Sequence, residues 1–159
     1  MAQKYPRKCG TCRECCVHVG VEELDKKPGI PCEHLCAKGC SIYEKRPGGC
    51  RSFVCMWYQG QFSQRDKPNQ TGVVCWMAYT GIMLDKDGNK CLTLYVSHRP
   101  GKKLNKKMFN WMLQVSYQYP AIVTPMKGNN PRYRSIYWQG KKVTDQVEVK
   151  EWYEDSNPS

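Results

Sequence analysis

The sequence predicts an α+β protein, in which a small cysteine-rich, metal-stabilised N-terminal unit precedes an antiparallel sheet with one main helix. Three observations carry this expectation. Nine of the eleven cysteines fall between Cys9 and Cys55. Short runs of β-branched and aromatic residues recur beyond residue 72, and one stretch near 105–117 repeats its apolar residues at helical spacing. The boundaries that follow are a cysteine-rich metal-binding unit over 1–58, a linker or long loop over 59–71, and a basic α+β unit over 72–155.

Residues 1–58 hold too few aliphatic side chains for an ordinary core, so bound metal is expected to replace it. The polar stretch from Gln59 to Gly72, with Pro68 and two glycines, reads as the linker. Val73 to Tyr79 then reads as a buried strand, with Ile82 to Leu84 and Cys91 to Val96 as two more. Asp85 to Asn89 supplies the hairpin turn between them, where Gly88 can take positive φ without strain. A helix is expected from about Lys102 or Asn105 to Tyr117, because Leu104, Met108, Trp111, Met112 and Val115 share one face, and Pro120 stops it. Ala121 to Met126, Ser135 to Trp138 and Val143 to Val149 read as further strands, separated by Lys127 to Pro131 and by Gln139-Gly140-Lys141. The end of the chain, Asp155 to Ser159, is expected to fray.

Eleven cysteines in 159 residues point either to a disulfide framework or to metal. The odd count, the clustering and an N-terminus with no apolar signal core favour metal in a reducing cytoplasm. The longest apolar stretch, Val73 to Tyr79, falls far short of the roughly 20 residues needed to cross a bilayer, so no membrane partner is expected. The formal charge of +11 implies attraction to an acidic partner.

The central feature is Cys9-Gly10-Thr11-Cys12-Arg13-Glu14-Cys15-Cys16. Thiolates at two-residue spacing wrap one ion because the intervening turns aim backbone amides at the sulfurs and offset their charge. Zinc and iron–sulfur clusters both use this device. Adjacent cysteines point their side chains apart, so Cys15 and Cys16 suggest a pair of sites. Cys32, Cys36, Cys40, Cys50 and Cys55 then supply the far ligands. Together with Pro31-Cys32-Glu33-His34-Leu35, Cys40-Ser41-Ile42-Tyr43, Arg46-Pro47 and Cys50-Arg51-Ser52-Phe53-Val54-Cys55, this order resembles the bacterial CxxCxxCC family of zinc- or iron-chelating domains over residues 9–57. The resemblance implies chelation by Cys9, Cys12, Cys15, Cys16, Cys32, Cys40, Cys50 and Cys55, with Cys36 as an addition to the usual pattern. It implies no particular reaction.

Other candidates have plainer readings. His18 and His34 are zinc-capable but lie among enough thiolates already; His98, beside Arg99, is weaker still. Cys75 and Cys91 fall in expected strands and read as packing residues. Arg46 and Arg51 are expected to hydrogen-bond the thiolate cluster and offset its charge. Lys102, Lys103, Lys106 and Lys107, with Arg99, gather at the helix start, where the dipole disfavours cations. With Arg132, Tyr133, Arg134, Tyr137, Trp138, Lys141 and Lys142 they suggest a surface for an acidic protein or nucleic acid. No Ser, His and acid set, phosphate loop or paired-carboxylate pattern is visible, so the chain reads as noncatalytic. The expected function is a metal-binding protein, structural or redox/accessory, holding zinc or an iron–sulfur centre. The alternatives are an iron–sulfur redox component of an enzyme system and a zinc-stabilised nucleic-acid binder.

Overall fold

The computed structural model describes residues 5–126 and 135–145. Its frame is a five-stranded mixed sheet in the order β3-β4-β5-β6-β7, together with a two-stranded ribbon in the N-terminal part. The α+β class expected from the sequence is thus present, with four short-to-medium α-helices among the described residues.

Residues 5–58 hold little regular structure. Helix α1 is Cys15–His18, the ribbon pairs β1 (Leu35–Cys36) with β2 (Gly39–Cys40), and α2 is Gly48–Ser52. Buried apolar side chains there are few, Val17, Val21, Met56 and Trp57 being the main ones. Residues 59–71, read from the sequence as a linker or long loop, carry a 3-10 turn at Gln64–Asp66 and helix α3 at Pro68–Thr71. This segment packs inward: Phe62 meets Trp111 edge-on with ring centroids 4.9 Å apart, and buried Asp66 accepts a 2.7 Å bond from Asn105.

Strand β3 (Val73–Leu84) runs through the two segments expected separately and pairs antiparallel with β4 (Lys90–His98), with an irregularity between Tyr79 and Leu84. The Asp85 carboxylate closes the turn by accepting from the amides of Asp87 and Asn89, and Gly88 takes φ +82°. Helix α4 (Lys106–Val115) starts where the Asn105 side chain caps the Met108 amide at 2.9 Å. Its Met108 and Met112 are fully buried against Val73, Cys75, Leu94, Val96 and Ala121, with Leu104, Trp111 and Val115 packed beside them. The expected helical face is therefore the core-facing one.

The sheet departs from a purely antiparallel one at a single pair. Strand β5 (Ala121–Pro125) runs parallel to β4, because α4 carries the chain back across the sheet before it re-enters. Strands β6 (Ser135–Trp138) and β7 (Lys141–Asp145) complete the order antiparallel. Residues 146–149 of the last expected strand, the expected fraying at Asp155 to Ser159, and Arg132, Tyr133 and Arg134 of the basic surface lie outside the described residues. The sheet face away from α4 buries Tyr95, Ile122 and Ile136 with Trp76 and Ala78. On that face Phe53 of the cysteine-rich part meets Trp76 edge-on at 5.8 Å, and Trp76 stacks on Tyr95 at 5.5 Å. The chain just past Cys55 also lines the outer edge of β3, where the Met56 amide donates to the Cys75 carbonyl at 2.7 Å.

Candidate metal centre

Every cysteine is a free thiol, so the N-terminal sulfurs are not joined to one another. They fall into two overlapping neighbourhoods, since Cys9 also feels Cys16 and Cys50 also reaches the first group's cleft. Cys9 and Cys12 bracket a tight turn, with the Cys12 amide donating to the Cys9 carbonyl at 3.0 Å and Gly10 at φ +56°. Burial and the field of Cys12 push the Cys9 thiol up. Burial raises Cys55 to about 11, with Cys9 and Cys12 adding to it. Against this the Tyr58 amide donates to Cys55 Sγ at 3.4 Å, the amide-to-sulfur contact that stabilises a thiolate. Cys9, Cys12, Cys15 and Cys55 face a common cleft of about 560 Å³, which Cys50 also reaches.

The second neighbourhood gathers Cys16, Cys32, Cys40 and Cys50. The Cys32 amide donates to the Cys16 carbonyl at 2.9 Å, and the ribbon places Cys40 opposite Leu35, three residues beyond Cys32. Burial pushes the Cys50 thiol up, and the fields of Cys16, Cys32 and Cys40 add to it. Burial pushes the Lys26 ammonium down while the fields of Cys32, Cys16, Cys15 and Cys50 oppose it, and it donates to the carbonyls of Val17, Val19 and Lys27. A cation thus stands beside this sulfur group.

Cys15 and Cys16 join the two neighbourhoods. Their mutual side-chain interaction, then burial, pushes the Cys15 thiol far up, whereas the same interaction draws Cys16 down to about 6 against burial, helped by Lys26, Arg46 and Arg13. Cys36 is exposed and stands apart; its carbonyl accepts from Arg13 at 2.8 Å. Buried Cys75 packs in the core, where burial pushes its thiol up, and Cys91 lies part-buried on β4.

Among the described residues no group of three or more His, Cys, Asp or Glu side chains converges closely enough to hold a metal ion as it stands. The donor type nevertheless suits one: the thiols are soft ligands, the Tyr58 amide reaches Cys55 Sγ, and Lys26 stands beside Cys16, Cys32 and Cys50.

The histidines stay out of both groups. His18 is buried: its Nε2 lies 3.0 Å from Glu14 Oε2 and its Nδ1 lies 2.8 Å from Ser97 Oγ. An ionised carboxylate only accepts, so Nε2 donates to Glu14, and in the neutral ring Nδ1 accepts from the Ser97 hydroxyl. Neither nitrogen is left for metal. Arg99 grips Glu14 with two bonds, Nε at 2.7 Å and Nη2 at 3.1 Å. Burial pushes the Glu14 carboxyl up, but the bonds from His18 and Arg99 outweigh it and hold it below its ordinary value. This is a Ser, His and acid set that the sequence does not reveal, because Ser97 lies 79 positions from His18. Ser97 is only 6% exposed and does not line the cleft, so the set serves as a tie between α1 and β4. It also removes Arg99 from the expected basic run.

His34 lies 3.5 Å from Glu33, and His98 is part-buried, its pKa lowered chiefly by burial. Lys102, Lys103, Lys106 and Lys107 are exposed around the start of α4. No described helix is long and apolar enough to cross a membrane. No family model matches the chain, and neither a curated protein nor a solved structure matches it.

Proposed function

We propose that the protein binds metal through two thiolate centres, zinc or iron–sulfur. One is formed by Cys9, Cys12, Cys15 and Cys55, the other by Cys16, Cys32, Cys40 and Cys50. The single observation that carries this reading is the crowding of the N-terminal sulfurs: Cys9, Cys12, Cys15 and Cys55 share a cleft that Cys50 also reaches, and Cys50 in turn lies within the fields of Cys16, Cys32 and Cys40. The amide donated to Cys55 Sγ and the cations Lys26 and Arg46 beside the sulfurs support it. Zinc would supply a structural tie; an iron–sulfur centre would add one-electron transfer. The role is noncatalytic or accessory, within the cytoplasm, and the exposed Lys102, Lys103, Lys106 and Lys107 support contact with an acidic protein or nucleic acid.

Elemental analysis and visible absorption of anaerobically purified protein test it. Two centres per chain are expected, colourless with zinc or brown with iron–sulfur. Cys55→Ser and Cys32→Ser should each lose one centre, the remaining one being the other in each case, while Cys36→Ser should lose neither. A metal-free chain that is fully folded would sink the proposal.

A further inference from the structure

The cleft over Cys9, Cys12, Cys15 and Cys55, about 560 Å³, far exceeds what one ion bonded at roughly 2.3 Å to sulfur requires. It falls instead in the size range of small-molecule sites, about 300–1,000 Å³. Resting on the metal reading above, we propose that this cleft binds a small planar organic anion, stacked on aromatic walls and held by Arg46 and Arg51 beside the first thiolate centre.

Charge and shape choose that class. No acidic side chain lines the cleft. Arg46 and Arg51 line the cleft and Lys67 stands near Cys9, so these cations offset the negative charge that metal-bound thiolates would bring there. Among the described residues neither arginine pairs with a carboxylate. Both are nonetheless held in place. Arg51 donates from Nε to the Arg46 carbonyl at 2.7 Å and from Nη2 to the Glu44 carbonyl at 2.8 Å. Arg46 donates from Nε to the Tyr43 carbonyl at 2.9 Å, and its guanidinium lies 3.7 Å from the centroid of the Tyr43 ring. These bonds use both Nε atoms and one proton of Arg51 Nη2, so the outer Nη edges are what the two arginines offer to a carboxylate or phosphate.

The rings explain the planar body. Tyr43 lines the cleft and is 57% exposed, with the Arg46 guanidinium against its ring, so part of its surface stays open to a ligand. Phe53 and Trp57 form further walls. Aromatic faces and arginine planes stack flat ligands, each contact adding to the ion pairing. Aromatic carboxylates and nucleoside monophosphates share this chemistry, an anionic group on a flat ring.

Tryptophan-fluorescence titration of the metal-replete protein tests the site with 4-hydroxybenzoate, adenosine 5′-monophosphate, cyclohexanecarboxylate and inorganic phosphate. Saturable binding is expected for at least one of the two planar anions, and the tighter one identifies the source. The non-planar acid and free phosphate should bind at least tenfold more weakly. Arg46→Gln with Arg51→Gln should weaken binding tenfold or more. Tyr43→Leu, at an exposed ring whose loss leaves the fold intact, should weaken it severalfold. Equal binding of cyclohexanecarboxylate, or an unchanged affinity in Tyr43→Leu, would overturn the inference. Metal analysis on the same samples separates it from the reading beneath: a fully metallated chain that binds no probe overturns this inference alone, and a metal-free folded chain overturns both.

Discussion

At the scale of single residues, the molecule joins its two parts through one buried polar tie. Glu14 and His18 flank the Cys15–Cys16 pair on α1, while Ser97 and Arg99 stand on β4 and just past it. Removing one partner of a buried bond leaves the other without water or protein to replace it, which costs about 1–3 kcal/mol. Ser97→Ala is therefore expected to destabilise the fold by about that amount, measured by urea unfolding with metal held constant. An unchanged midpoint would show that His18 needs no partner. The residue scale also explains what could be read in advance. The eight grouped cysteines stand out because their spacing is local, but the tie joins residues 79 and 85 positions apart, and no periodicity encodes such a meeting.

At the scale of elements, the clearest legible signals were turns and the helix face. Asn105 caps α4, and its apolar stripe became the buried one. The parallel pairing of β4 with β5 was not legible, since a strand's residues do not record its direction; the length and path of the crossover decide it. Nor was the packing of 59–71, where polar composition hid Phe62 and Asp66 as inward contacts. The β6–β7 turn allows a sharper test. Gln139 has φ +50° and Gly140 has φ +72°, the two positive values of a two-residue hairpin turn. Asn tolerates this region better than Gln, so Gln139→Asn should stabilise by about 0.5 kcal/mol. At Gly140 a Cβ would come within 2.6 Å of the Tyr117 ring, so Gly140→Ala should destabilise by about 1–3 kcal/mol. Thermal melts of the two variants should shift in opposite directions.

At the scale of the whole molecule, two kinds of interior lie on opposite faces of one sheet. On one side α4 seals an apolar core of methionine, valine and leucine; on the other the cysteine-rich part rests through Phe53, His18 and Arg99. If metal replaces the core in the second, the two sides should part company when it is removed. Hydrogen exchange after treatment with a strong chelator should show residues 5–58 losing protection first, with β4 and α4 retaining theirs. Uniform loss across the chain would instead mean that the sheet depends on the metal as directly as the thiols do. The segment around Met56 adds a hazard to that state. While it stays in place, its amide occupies a carbonyl on the outer rim of the first long strand. Were it to peel away in the proposed metal-free state, the Cys75 carbonyl would be left unmet on that rim and open to pairing with another copy.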